Sequence, residues 1–154
     1  MRRQEKEITD SSIIREILAK SEICRLGFVD NEEAYIVPVN YAYEDGIIYI
    51  HSATGGRKVD LIKRNSRVSF EIEYSNEIIK AGTPCEWSAR YRSIMGKGNI
   101  IIEEDPVLKK KGLDLIVTRY GSNIELNYDE SLFSRTILLI LKIESITGKQ
   151  SGIW

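Results

Sequence analysis

Between His51 and Lys58 the chain reads HSATGGRK, which places its only histidine, two hydroxyls, two glycines and two cations within eight residues. The run before it, IIYI, has the pattern of an apolar strand, and the run after it, VDLIKRN, that of a short helix. Backbone N–H groups at a helix start lack partners within the helix and lie at the positive end of its dipole. Glycines let an anion approach that backbone, Ser52 and Thr54 add hydroxyl donors, and Arg57 and Lys58 add full positive charge. The stretch has the makings of an anion seat; a plain turn with two solvated cations is the competing reading. Neither G-x-x-x-x-G-K-[ST] nor G-x-G-x-x-G is present, so it is not a Walker loop or a dinucleotide fingerprint.

The preceding strand pattern, AYIVPVNYAY, carries a second signal. Tyr35, Val37, Val39, Tyr41 and Tyr43 alternate with Ile36, Pro38, Asn40 and Ala42. Pro38 cannot donate to a ladder, so it belongs at an edge or where something other than a strand meets the backbone. Asn40 shares its face and offers both a donor and an acceptor. A flat heteroaromatic ring along this strand, with its phosphate on HSATGGRK, accounts for both features. An edge strand with an ordinary proline is the simpler alternative. His51, with an unperturbed pKa of about 6.5, is the candidate proton donor, or else only fixes the turn or a substrate wall. One histidine cannot furnish both a hydrolytic triad and anything else, and it makes a catalytic zinc site a poor reading, so no metal is expected. Glu86 and Trp87 read equally well as gate residues or as a loop carboxylate and a packed indole.

The elements that position these residues are mostly strands. CRLGFVD, AYIVPVNYAY, IIYIHS, RVSFEIEY, SARYRSIMGKGNIIIEE and TILLILKIESITGK give six strand patterns, with EDG as a hairpin turn. Gly96 and Gly98 predict a bend or bulge. ITDSSIIREILAKSE reads as a first helix capped by Thr9 or Asp10, and DPVLKKKGLDLIVTRYG as a helix from Asp105 to Gly121. A loop or short helix fills about 122–134, and SNEIIKAGTPCEW has no clear element. Closure of so many apolar strands removes exposed edges, so a closed antiparallel barrel is expected, with an open α+β sheet or a sandwich as alternatives.

With 154 residues, a single domain over 1–154 is expected. A net charge of −1 gives no bulk attraction to nucleic acid or an anionic membrane. No apolar run is long enough for a spanning helix, and MRRQEKEITD lacks the apolar core of a secretory signal, so a cytoplasmic location is expected. Cys24 and Cys85 form no metal or redox spacing and read as buried, reduced thiols.

Together, MRRQEKEITD, CRLGFVD, IVPVNYAYEDGIIYIHSATGGRKVDLIKRNSRVSFEIE, CEWSARYRSIMGKGNI and ITGKQSG resemble the pyridoxamine-phosphate-oxidase-like FMN-binding split barrels, most closely their nitroimidazole-resistance (Nim) branch. The resemblance implies a mainly β fold: a six-stranded antiparallel split β-barrel of Greek-key type with peripheral helices. It implies a homodimer with FMN at the subunit interface. Pro38, Val39, Asn40 and Tyr41 would line the isoalloxazine. His51, Ser52 and Ala53 would sit by the ribityl-phosphate arm or the open side of the ring. Arg57 and Lys58 would bind the phosphate, and Tyr91 and Ser93 would complete the pocket from the other chain, with Trp154 over the ring. The implied function is an oxidoreductase that reduces small aromatic or nitro-heterocyclic compounds such as 5-nitroimidazoles, using NAD(P)H or a reduced flavin. A non-catalytic flavin carrier, a redox sensor or a haem-binding split barrel is the alternative. The arginine-rich substrate motif of the pyridoxamine-phosphate oxidases proper is not evident near the C-terminus, so vitamin B6 synthesis is not expected.

Overall fold

A computed structural model describes residues 3–121 and 128–154. Eight strands form one antiparallel sheet: β1 (Glu7–Ile8), β2 (Ile23–Asp30), β3 (Glu33–Asn40), β4 (Ala42–Glu44), β5 (Ile47–Ala53), β6 (Arg67–Ile79), β7 (Ser88–Glu103) and β8 (Thr136–Ser151). Among the described residues four α-helices accompany it: α1 (Ser11–Lys20), α2 (Arg57–Arg64), α3 (Pro106–Tyr120) and α4 (Glu130–Arg135). The hydrogen-bonded order is β3-β2-β6-β7-β8-β5-β4, with β1 added to β8.

The mainly β split-barrel expectation holds, with two differences. The sheet has eight strands rather than six, because AYIVPVNYAY divides at Tyr41 and because Glu7 and Ile8 pair with Lys149 and Gly148. Hydrogen bonding also leaves the ring open, since β3 and β4 are the two ends of the path. These ends are consecutive in sequence, so the chain itself spans the split. Its first half pairs with β2 and its second half with β5.

Tyr41 sits at this joint, fully buried. Its hydroxyl donates to the Leu18 carbonyl at 2.8 Å, and its N–H donates to the Tyr120 hydroxyl at 3.1 Å. The Arg119 guanidinium lies 4.3 Å from the Tyr41 ring centroid and donates to the carbonyls of Leu18 and Ser21. The last carbonyls of α1 have no partners within their own helix, so Arg119 and Tyr41 supply what α1 lacks.

The core follows strand alternation. Cys24, Leu26, Phe28, Val68, Phe70, Ile72, Ile94 and Ile100 point inward, joined by Ile17 and Leu18 of α1 and by Leu61 and Ile62 of α2. Leu113 and Ile116 of α3 pack on the other side, against Leu138, Ile140 and Tyr49. The expected irregularity at Gly96–Gly98 appears as a register shift between Lys97 and Gly98 in the β7–β8 pairing. A Cβ at Gly98 would collide with the Lys142 carbonyl. The unassigned stretch SNEIIKAGTPCEW proves to be the continuation of β6 past a bulge at Ser75 (φ 60°), then a single turn at Pro84–Glu86. Residues 76–91 thus form a two-stranded arm. Cys85 lies exposed at its tip, contrary to the expectation of two buried thiols, whereas Cys24 is buried and its pKa is pushed up to about 12 by desolvation. Of the loop or short helix expected at about 122–134, residues 122–127 lie outside the described residues and α4 begins at Glu130.

Gly98→Ala is expected to cost about 1–3 kcal/mol through overpacking. Tyr41→Phe should cost about 1 kcal/mol, because Arg119 still serves the Leu18 carbonyl. Urea denaturation of the two variants checks both values.

Candidate functional site

The anion corner is built where β5 hands over to α2. Ile48 and Ile50 anchor β5 in the core, and His51 follows them with its side chain accessible. Thr54, Gly55 and Gly56 carry the chain to α2, which starts at Arg57 as the glycines predicted. Gly56 is the N-cap with φ +114°, a conformation that glycine alone adopts readily, and it offers no side chain to satisfy the first turn. A Cβ on Gly55 or Gly56 would have no atom within 4 Å, so the space above this backbone is open.

The two cations differ. Arg57 donates its Nε to Asp30 Oδ2 at 2.7 Å, and its guanidinium lies 4.6 Å from the Tyr35 ring centroid. Lys58 is partly buried, burial holds its pKa below the ordinary lysine value, and among the described residues no carboxylate pairs with it. A partly buried ammonium without a counterion favours an arriving anion. His51 is likewise held below its ordinary value, first by burial and second by the charge of Lys58. The imidazole is therefore mainly neutral at pH 7. With the uncapped amides and the open glycine cradle, this donor set fits the terminal phosphate of a nucleotide-like group.

The expected ring-lining strand is an edge, as Pro38 required: β3 ends the sheet path, and Ile36, Pro38 and Asn40 face outward on it. Asn40 Nδ2 donates to the Glu22 carbonyl at 3.3 Å. Val39 is partly buried on the inward face, opposite Cys24. Tyr41 belongs to the core, and its hydroxyl, N–H and carbonyl are all engaged with Leu18 or Tyr120. The β4–β5 ladder ends at the Ala42–Tyr49 pair, and beyond it β3 and β5 approach each other without pairing. Pro38 and Asn40 thus lie on one of the two strands that flank the split, His51, Ser52 and Ala53 lie on the other, and α2 follows β5 directly.

Tyr91 and Ser93 are not gathered there. Ser93 pairs with Lys149 of β8, whereas His51 pairs with Leu138, so about 36 Å of strand path separates them within one chain. Trp154 is at that far end too, its ring 4.3 Å from the Arg92 guanidinium and 6.2 Å from Tyr74. On the arm, Glu86 closes a capping box with Thr83, and the Trp87 indole donates to the Ala81 carbonyl at 3.3 Å. Both are engaged within the arm, and Trp87 stays exposed there and is not packed in the core. Asp30 was missed as a site residue because DNEE reads as a turn. The available signal was parity: Cys24, Leu26 and Phe28 set the inward face of β2, and Asp30 is next on it.

A model of the family described as pyridoxamine 5'-phosphate oxidase matches residues 10–150. The chain belongs to this family. Among solved structures, a proposed 5-nitroimidazole antibiotic resistance protein from Bacteroides thetaiotaomicron is 27% identical, with a TM-score of 0.82 over 93% of this chain and 85% of that one. A flavocytochrome from Azotobacter vinelandii shares the fold at 16% identity, with a TM-score of 0.85 over 99% and 72% of the two chains. An FAD- and haem-binding protein from Mycobacterium smegmatis does so at 20% identity, with a TM-score of 0.85 over 97% and 75%. An uncharacterised curated protein of Rhizobium meliloti is 32% identical over 56 residues, so the match spans 36% of this chain and 36% of that relative. No helix among the described residues is long and apolar enough to cross a membrane.

The depressed His51 pKa has a thermodynamic sign. Its contribution to stability is complete above 6.5 and is lost as pH falls through the lower folded-state value. The thermal midpoint should therefore fall more between pH 7 and pH 5 in the wild type than in His51→Gln. Because the chain has one histidine, proton NMR should show a single imidazole titrating below 6.5, and Lys58→Met should move it upward.

Proposed function

We propose that this member of the pyridoxamine 5'-phosphate oxidase family is an FMN-binding oxidoreductase acting on small aromatic or nitro-heterocyclic compounds such as 5-nitroimidazoles. The observation that carries the proposal is the corner at Gly55–Lys58: open glycine backbone, an uncapped helix start and a partly buried ammonium that has no ion-pair partner among the described residues. It supports a phosphate-bearing ligand. The edge strand β3, with Asn40 and the missing N–H of Pro38, supports a planar ring beside it. The likeness to the Bacteroides protein supports the substrate class, and the flavin- and haem-binding relatives of the same fold support a flavin.

In this reading the bound flavin supplies electron and hydride transfer. The chain's own residues do the rest. Lys58, Arg57 and the first amides of α2 bind the phosphate, Ser52 adds a hydroxyl, and the outer edge of β3 at Pro38–Asn40 orients the ring. The His51 imidazole, neutral at rest, holds or passes a proton beside the split. A homodimer brings Tyr91 and Ser93 of the partner subunit to a site their own chain cannot reach. The electron donor in this reading is NAD(P)H or a reduced flavin.

Purified protein should take up FMN on titration and turn yellow, and Lys58→Ala should weaken that binding about tenfold. Anaerobic NAD(P)H should bleach the bound flavin, and a nitroimidazole should restore the colour. His51→Ala should slow the second step more than it weakens binding. Colourless protein that takes up no FMN sinks the flavin reading. Bleaching without recolouring leaves flavin binding standing and removes the reductase.

A further inference from the structure

Asp30 is a buried carboxylate, 9% exposed, at the end of β2. It faces two arginines of α2: Arg57 Nε at 2.7 Å and Arg64 Nη1 at 3.5 Å. Arg57 is also held from a second side by the Tyr35 ring, which itself packs on Phe28 with centroids 6.2 Å apart. The bond to Asp30 uses Nε, and among the described residues the terminal amino groups of Arg57 have no hydrogen-bond partner. They belong to the first residue of α2, immediately beside the open glycines.

An exposed arginine tethered only by its own stem samples many rotamers, and ordering it on a ligand costs binding free energy. Here the planar guanidinium is fixed in advance by a carboxylate on one edge and an aromatic ring on one face. Its remaining donors are left as a fork, the geometry that matches phosphate oxygens. Asp30 is not itself an anion ligand, because a carboxylate repels a phosphate. Its effect is through Arg57.

We infer that Asp30 is a positioning residue that, with Tyr35, presets Arg57 as a phosphate fork, so that the site distinguishes a phosphorylated flavin from its unphosphorylated parent. The inference rests on the flavin reading above and deepens it. Lys58 supplies charge without a fixed direction, and Arg57 supplies direction because Asp30 has settled its orientation.

The test compares FMN and riboflavin binding by fluorescence quenching in the wild type, Asp30→Asn and Arg57→Lys. The wild type is expected to prefer FMN strongly. Both variants should lose about tenfold of that preference, equivalent to about 1.4 kcal/mol, with riboflavin affinity unchanged within about twofold. Arg57→Lys keeps the positive charge, so its loss reports geometry, and it keeps the experiment decisive if Asp30→Asn folds poorly. A role in folding alone would lower the thermal midpoint while leaving the FMN-to-riboflavin ratio intact, which overturns the inference. A rise in FMN preference in Asp30→Asn also overturns it, because Asp30 would then be acting as an opposing charge. Wild-type protein that binds neither flavin overturns the flavin reading itself. Wild-type protein that binds both equally overturns the preset fork and the phosphate role of the corner, and leaves flavin binding itself standing.

Discussion

The architecture depends on the way one apolar stretch changes partners at Tyr41. Residues 33–40 pair with β2 and residues 42–44 with β5, so the two ends of the sheet meet at a single buried phenol. That phenol is tied to α1 through Leu18, while Arg119 and Tyr120 bring the end of α3 to the same point. Three elements distant in sequence therefore satisfy one another's exposed backbone groups. Burial raises the Tyr41 pKa further above its usual value, so the hydroxyl stays a donor across the accessible pH range. The bend leaves β3 and the end of β5 as the two strands that flank the split, which is where the proposed site lies.

The corner next to this bend divides its charge unequally. Arg57 is compensated by Asp30, whereas Lys58 is left with burial and a neighbouring imidazole. Two adjacent cations of the same sequence motif thus have different surroundings, one paired and oriented, the other partly desolvated. A fold optimised only for stability would leave neither an uncapped helix start nor a partly desolvated ammonium. Both carry a local cost, which the phosphate proposed above would offset.

Much of the fold was legible because the deciding rules are local. Asp10 and Asp105 cap α1 and α3 with side-chain bonds to the first-turn amides, and Pro106 sits at the first helical position. Asp45 and Gly46 take the positive φ values that a two-residue hairpin needs. What stayed hidden depends on distant partners. The break at Tyr41 does not interrupt the alternation, since Val39, Tyr41 and Tyr43 keep one face throughout. β1 is two residues long, and its partner lies about 140 residues away in sequence. The bulge at Ser75 erased the period-two signal of the outer half of β6. At the site, the glycine–cation corner and the edge position of Pro38 were readable from residue chemistry. The inequality of Arg57 and Lys58 was not, because Asp30 reaches Arg57 across a tertiary contact.

The two sulfurs have been driven apart in reactivity by the same sheet. Cys24, on the inward face of β2, keeps its proton to about pH 12 and is shielded from reagents. Cys85 stands in solvent at the tip of the β6–β7 arm. The natural chain therefore carries a built-in single-label handle, and a maleimide dye placed there reports the arm's surroundings without any cysteine having to be removed first.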